Sequence, residues 1–281
     1  MIPIHMVVPC YNEEKRLERH RFLDFAAEHR HVRFTVVDDG STDETAKILR
    51  ELQQQSNDRI QFLQCSENGG KSEAVRRGMR HVIEADSGEH AIGFIDADLS
   101  APLQSCLSLA DVLARNPEVE IVLGSRFPLV GRQIQRHWAR KWLGFSFSSV
   151  ASLAIGLPLR DTQCGVKLFR VTPALKLAIE EPFSSRWIFD VELLARYLAN
   201  SPQVDCHRTI YEFPLDQWRE VVGSKLKPSD FLRAIYELGS IAWSYRCGHF
   251  VVDTEADIIK FPSSVFDANE VVTPTEIRKS A

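Results

Sequence analysis

The chain has 281 residues, 44% of them hydrophobic and 26% charged, a balance that fits a globular protein and excludes a disordered or fibrous one. Its formal net charge of −4, from 34 basic and 38 acidic residues, disfavours nucleic acid as a partner, because proteins that live on nucleic acid carry a basic excess. The six cysteines form no Cys-x-x-Cys pair and no zinc spacing, so they read as reduced thiols of a cytoplasmic protein.

Met1-Ile2-Pro3-Ile4 runs straight into a strand, so no secretory signal is expected. Short β-branched or apolar runs at Ile2–Pro9, Arg33–Asp39, Arg59–Cys65, Ala91–Asp96 and Glu120–Ser125 alternate with helical stretches. Those stretches are Glu14–Arg30, Asp43–Gln55, Lys71–Ala85 and Pro102–Arg115, and Ser41-x-x-Glu44 fits a capping box that opens the second. Strand–helix–strand alternation at this spacing predicts parallel strands joined by right-handed crossovers, hence a doubly wound α/β sheet. Beyond it, Arg132–Gly156 reads as a long helix, Trp187–Ala199 as another and His207–Phe213 as a strand. The uncharged stretch Trp142–Leu159 carries serines, glycines and a proline and falls short of a spanning helix, so it reads as buried. Ser229–Arg246 has an amphipathic pattern in Phe231, Ile235, Leu238, Ala242 and Tyr245, and a polar tail follows Gly248.

In an open parallel sheet, ligands bind beyond the carboxyl ends of the strands. The polar signals fall at those ends: Pro9-Cys10-Tyr11-Asn12-Glu13, Asp38-Asp39-Gly40-Ser41, Glu67-Asn68-Gly69-Gly70-Lys71 and Asp96-Ala97-Asp98. Each alone could be a turn or a helix cap; together they converge on one rim. Asp96-x-Asp98 puts two carboxylates on one loop, within reach of a hard cation such as Mg²⁺ or Mn²⁺ that fills its shell with phosphate oxygens and water. Gly70-Lys71-Ser72 is not a P-loop, because Cys65 stands where that motif needs its first glycine. Lys71 instead approaches a nucleotide from a loop. No dinucleotide-binding glycine pattern follows the first strand, and neither Gly-x-Ser-x-Gly nor His-Glu-x-x-His is present. Arg132, Arg136 and Arg140 stand four residues apart on one face of the predicted long helix, either a solvated charged face or an anion site.

As an ordered set these residues resemble glycosyltransferases of family 2, which have the GT-A fold, a Rossmann-like, mostly parallel sheet flanked by helices. The matching motifs are Val8-Pro9-x-Tyr11-Asn12-Glu13, Val37-Asp38-Asp39-Gly40-Ser41, Asn68-x-Gly70-Lys71, Asp96-Ala97-Asp98 and Gly124-Ser125-Arg126. In the second half, Arg160–Phe169, Arg186–Leu194 and Gly223-Ser224-Lys225-Leu226 are similar to dolichyl-phosphate β-glucosyltransferases. The resemblance implies a GT-A domain over 1–227, an amphipathic helix over 228–246 and a tail over 247–281. It implies that Pro9, Tyr11, Glu13, Val37 and Asp39 hold the base and ribose of a UDP-sugar, and that Asp96, Ala97 and Asp98 serve the metal and diphosphate. Arg126, Arg219 and Lys225 match basic positions that meet donor phosphates or the site-covering loop, and Arg140 one associated with an acceptor phosphate. Ser100 stands where mannosyltransferase relatives often have Gln. Neither the amino-terminal membrane anchor of the eukaryotic relatives nor a carboxy-terminal spanning helix is expected.

The function implied is inverting transfer of glucose from UDP-glucose to a polyprenyl or dolichyl phosphate, with peripheral contact at the cytoplasmic face of a membrane. A phosphate monoester, with its second pKa of about 6, is already an oxyanion at neutral pH and needs positioning more than a base. A sugar hydroxyl acceptor would need a carboxylate base, with Asp190 or Glu192 as candidates. Two other functions compete: a family 2 transferase with a soluble acceptor, and a nucleotidyltransferase or non-catalytic sugar-nucleotide module. The latter fits poorly, because no glycine-rich basic signature follows the first strand.

Overall fold

A computed structural model describes residues 2–85, 91–135, 156–201, 205–221 and 228–250. Four strand–helix units open it: β1 (Ile4–Cys10) and α1 (Arg19–Glu28), β2 (Val32–Asp38) and α2 (Thr45–Gln55), β3 (Ile60–Gln64) and α3 (Lys71–Ala85), β4 (Ala91–Ile95) and α4 (Gln104–Arg115). β5 (Ile121–Ser125), β6 (Gln133–Gln135), β7 (Val166–Arg170), α5 (Pro173–Ala178) and α6 (Phe189–Ala199) follow. The described chain closes with α7 (Cys206–Thr209), β8 (Ile210–Pro214), β9 (Gln217–Arg219) and α8 (Pro228–Arg246).

Seven strands form one sheet in the order β3-β2-β1-β4-β7-β5-β8, and β6 pairs with β9 in a small second sheet. β1, β2, β3 and β4 run parallel, as do β5 and β8, while β7 is antiparallel to both its neighbours, β4 and β5. The sheet is buried on both faces, which explains why the strands read as near-continuous apolar runs. In β1, Ile4, Met6, Val8 and Cys10 join the layer of α1, α2 and α4 through Phe22, Leu49 and Leu109, whereas Val7 joins α3 and α6 on the other face through Val75 and Leu193. On that second face α3 approaches closely because position 78 has no side chain: a Cβ there would lie 2.4 Å from a methyl of Val7 and 2.9 Å from one of Val37. α8 packs on the same side, burying Ala234, Leu238 and Ile241.

Several expectations need correction. The first helix starts at Arg19 rather than Glu14, because the N–H groups of Arg16 and Leu17 turn back to the carbonyl of Glu13. The capping box does not form: α2 begins at Thr45, with no side-chain bond from its N-cap Glu44. The Ser41 hydroxyl instead accepts the Asn12 N–H at 3.0 Å, and Asp43 accepts that of Thr45 at 3.0 Å. Arg132 opens no helix, since Gln133–Gln135 is a strand that pairs with Gln217–Arg219 and Arg132 itself pairs with Asp216. The rest of that predicted helix, 136–155, lies outside the described residues. The predicted strand His207–Phe213 divides into α7, capped by Asp205 through the His207 N–H, and β8. Among the described residues no helix is long and apolar enough to cross a membrane.

Gly78→Ala tests the close approach of α3. The gain in helix propensity, about 1 kcal/mol, is outweighed by overpacking against Val7 and Val37, so we expect a net loss of about 1–2 kcal/mol in urea unfolding.

Candidate active site

The carboxyl ends of β1, β2 and β4 and the first turn of α3 surround a cavity of about 210 Å³. Pro9, Tyr11, Glu13, Asp39, Lys71, Asp96, Ala97 and Asp98 all line it, so most of the residues selected from the sequence meet there; Cys10 and Ala74 complete the wall. Val37 does not: its side chain is fully buried against α3. A larger surface groove, about 500 Å³, lies by α1 and α2. In it Arg19 pairs with Glu51 at 3.2 Å and Arg16 with Glu13, and none of the residues that line the strand-end cavity lines it.

Side chains tie the loops of the cavity together. Asn12, at a φ of 53°, accepts the Thr42 N–H at 2.9 Å and so pins the loop after β1 to the loop after β2. Asp39 accepts the N–H of Gly69 at 2.9 Å and of Gly70 at 2.8 Å, which fixes the entry to α3. Burial pushes the Asp39 carboxyl above its ordinary range, with those two N–H groups pulling the other way. Glu13 is raised for the same first reason, against the opposing pull of Arg16, which grips it through both oxygens.

The Asp96–Ser100 turn is the most constrained part. Leu99 is buried at a φ of 51°, strain costing about 1–3 kcal/mol that surrounding structure must hold. Its N–H bonds the Asp96 carbonyl at 3.1 Å, and Asp98 accepts both the N–H (2.9 Å) and the hydroxyl (2.6 Å) of Ser100. The Asp96 carboxylate meets Lys71 Nζ at 2.5 Å through Oδ1, and Oδ2 lies where a side chain at Gly165 would be, 2.0 Å from a Cβ built there. Burial works against the Lys71 charge, but Asp96, Asp190 and Asp98 outweigh it and hold its pKa above the ordinary value.

Other selected residues sit elsewhere. Arg126 does not line the cavity; its guanidinium is locked two-pronged onto Asp161, both contacts at 2.7 Å. Burial disfavours that charge and Asp161 more than restores it. Asp161 is itself held by Glu212, which accepts the N–H groups of Arg160 and Asp161. Arg219 is exposed on β9, its side chain on Glu18 at 2.7 Å and its N–H on the Ser100 carbonyl at 3.0 Å. Arg140 and Lys225 lie outside the described residues. Of the two candidate bases, Glu192 is fully buried and takes bonds from Ser184, Ser185 and Arg196, while Asp190 pairs with the buried Lys167 at 2.6 Å.

The model of Glycosyl transferase family 2 matches residues 6–177, a span that carries every residue lining the cavity. The chain belongs to glycosyl transferase family 2. It is therefore an enzyme, a glycosyltransferase, and the sequence-based assignment to that family holds. A dolichyl-phosphate beta-glucosyltransferase of Mus musculus is 35% identical over 80% of this chain and 70% of its own length. Another so named, from Trichomonas vaginalis, is 33% identical over 89% of this chain and 74% of its own. Among solved structures, glucosyl-3-phosphoglycerate synthase from Mycobacterium tuberculosis, crystallised with Mn²⁺ and UDP-glucose, superposes with a TM-score of 0.60 at 20% identity over 90% of this chain and 81% of that one. That likeness supports the GT-A fold.

Sequence reasoning did not pick out Gly165 as a site residue, although it stands within the Arg160–Phe169 motif. Gly165→Ala should displace the Asp96 carboxylate and lower kcat by about 10²-fold, with a melting temperature close to the native one. Native turnover in this variant would contradict the packing described.

Proposed function

We propose that this family 2 glycosyltransferase moves glucose from UDP-glucose to a polyprenyl phosphate of the dolichyl type, with inversion at the anomeric carbon. The geometric observation behind this is that each carboxylate lining the cavity is already partnered. Glu13 is held by Arg16, Asp39 by Gly69 and Gly70, Asp96 by Lys71 and Asp98 by Ser100. Such a cavity suits an acceptor that arrives as its own oxyanion, which a phosphate does and a sugar hydroxyl does not. The choice of glucose and of a lipid phosphate is supported by the relatives named dolichyl-phosphate beta-glucosyltransferase, at 33–35% identity over most of the chain.

Asp96 and Asp98 are the residues that would hold Mg²⁺ or Mn²⁺. Among the described residues no cluster of three or more His, Cys, Asp or Glu could hold a metal, so a cation here needs oxygens from the donor as well. That division fits a hard ion taking two protein carboxylates. When bound, it would neutralise the diphosphate and stabilise it as a leaving group. Of the chain's own groups, Lys71 and the first turn of α3 line the cavity and offer positive charge to the diphosphate. Glu13, Asp39 and Tyr11 line the part formed by β1 and β2, where we place the nucleoside. Lys225 and Arg140, which lie outside the described residues, are the basic residues we assign to the donor phosphates and to the acceptor phosphate respectively.

A lipid acceptor places the enzyme at a membrane surface, and we assign that contact to the outer face of α8, at the cytoplasmic side. Tyr236 and Trp243, seven residues apart, are 79% and 67% exposed, and both residue types favour the interface. Tyr245, part of the amphipathic pattern of this segment, packs partly buried against the core.

Incubation with UDP-glucose, Mn²⁺ and polyprenyl phosphate should give a glycolipid; transfer only to water-soluble acceptors would refute the lipid reading. Asp98→Ala should lose roughly 10³-fold or more in rate while staying folded, and EDTA should silence the native enzyme. Turnover that persists in EDTA would remove the cation from the account. Replacing Tyr236 and Trp243 together by Ala should weaken co-sedimentation with liposomes and leave the melting temperature close to native. A native protein that never pellets with liposomes would count against α8 as the contact.

A further inference from the structure

A row of alternating charge runs inward from the carboxylate pair. Lys71 Nζ lies 2.5 Å from Asp96 Oδ1 and stands 6.0 Å from the Phe94 ring centre and 5.9 Å from that of Phe189. On the Phe94 ring, at 5.3 Å, sits the Lys167 ammonium, which is fully buried and bonded to Asp190 Oδ1 and the Cys164 carbonyl, both at 2.6 Å. Lys71 thus has a carboxylate on its ammonium and two aromatic rings beside it. Asp96 Oδ1 is therefore already on this ammonium, while Oδ2 lies over Gly165, which has no side chain.

We propose that Lys71 is an internal counter-cation for Asp96, which a divalent ion must displace, so that cation and nucleotide bind cooperatively. This rests on the reading of Asp96 and Asp98 as the cation's carboxylates. A divalent ion brought onto Asp96 would stand within a few ångströms of the ammonium, and like charges that close repel strongly. The donor diphosphate relieves the conflict. Its oxygens accept the Lys71 ammonium, which lines the same cavity, and Asp96 passes to the ion. Without nucleotide, Lys71 keeps Asp96 and the ion binds weakly; with nucleotide, both charges are matched. Lys71 therefore couples the two ligands as well as contacting one of them.

The test measures Mn²⁺ binding to the full chain by electron paramagnetic resonance of the free ion, with and without UDP, in native protein, Lys71→Met and Lys71→Arg. Lys71→Met keeps the bulk and loses the charge, so it should bind Mn²⁺ alone at least about tenfold tighter than native protein, and UDP should tighten it less. Lys71→Arg should bind Mn²⁺ alone as weakly as native protein. Circular dichroism checks that both variants fold, and Lys71→Gln serves the same comparison should Lys71→Met fail. If Lys71→Met binds Mn²⁺ alone no tighter than native protein while UDP still promotes Mn²⁺ binding in both, the counter-cation is overturned and the cation site stands. If no protein binds Mn²⁺ even with UDP, the cation reading of Asp96 and Asp98 falls, and the counter-cation with it.

Discussion

The carboxylate of Asp96 has room only because Gly165 has no side chain, and much of the architecture serves that contact. Gly165 is the residue before β7, and its carbonyl accepts the Asp96 N–H at 3.1 Å. It reaches Asp96 because β7 enters antiparallel between β4 and β5, pairing Ile95 with Val166 at the very end of β4. A purely parallel, doubly wound sheet would leave a crossover there instead. The inserted strand also carries Lys167, whose ammonium under the cavity holds Asp190. One reversed strand thus brings both the glycine beneath Asp96 and the lysine that pairs with Asp190.

Buried charge is tolerated around this floor because each group has an opposite charge or several hydrogen-bond partners. Lys167 has two oxygen partners, Arg126 is chelated by Asp161, and Glu192 takes bonds from two serines and an arginine. Removing one partner of such a pair strands a charge and typically costs about 3–5 kcal/mol, so each locks its loop in one place. The same economy explains why Arg126, Glu192 and Asp190 are committed to the scaffold. Ionic groups near the site divide into those buried in the scaffold and those that line the cavity, Glu13, Asp39, Lys71, Asp96 and Asp98.

The strand-end residues were legible from the sequence because each lies in a short polar run after an apolar strand, and the order of those runs places them on one rim. Pro9, Tyr11, Glu13, Asp39, Lys71, Asp96 and Asp98 follow that rule. Val37 does not, because strand alternation turns its side chain under α3. β7 was hidden: Val-Lys-Leu-Phe-Arg puts a lysine in a strand buried on both faces, and only its pairing with a distant aspartate makes that acceptable. β6 and β9 are three residues each and mutually dependent, and a four-residue spacing of arginines imitated a helix through the first of them. Gly165 carried no signal of its own, since its role depends on a carboxylate some seventy positions away in the chain.

Direct displacement at the sugar by a phosphate that is its own nucleophile is the chemistry we propose for a cavity whose carboxylates are each already partnered. Nuclear magnetic resonance of the anomeric centre in the glycosyl phosphate made from UDP-α-glucose tests it most directly. Single displacement gives the β-linked product. An α-linked product would contradict the account, because backside displacement by the acceptor phosphate inverts the anomeric centre.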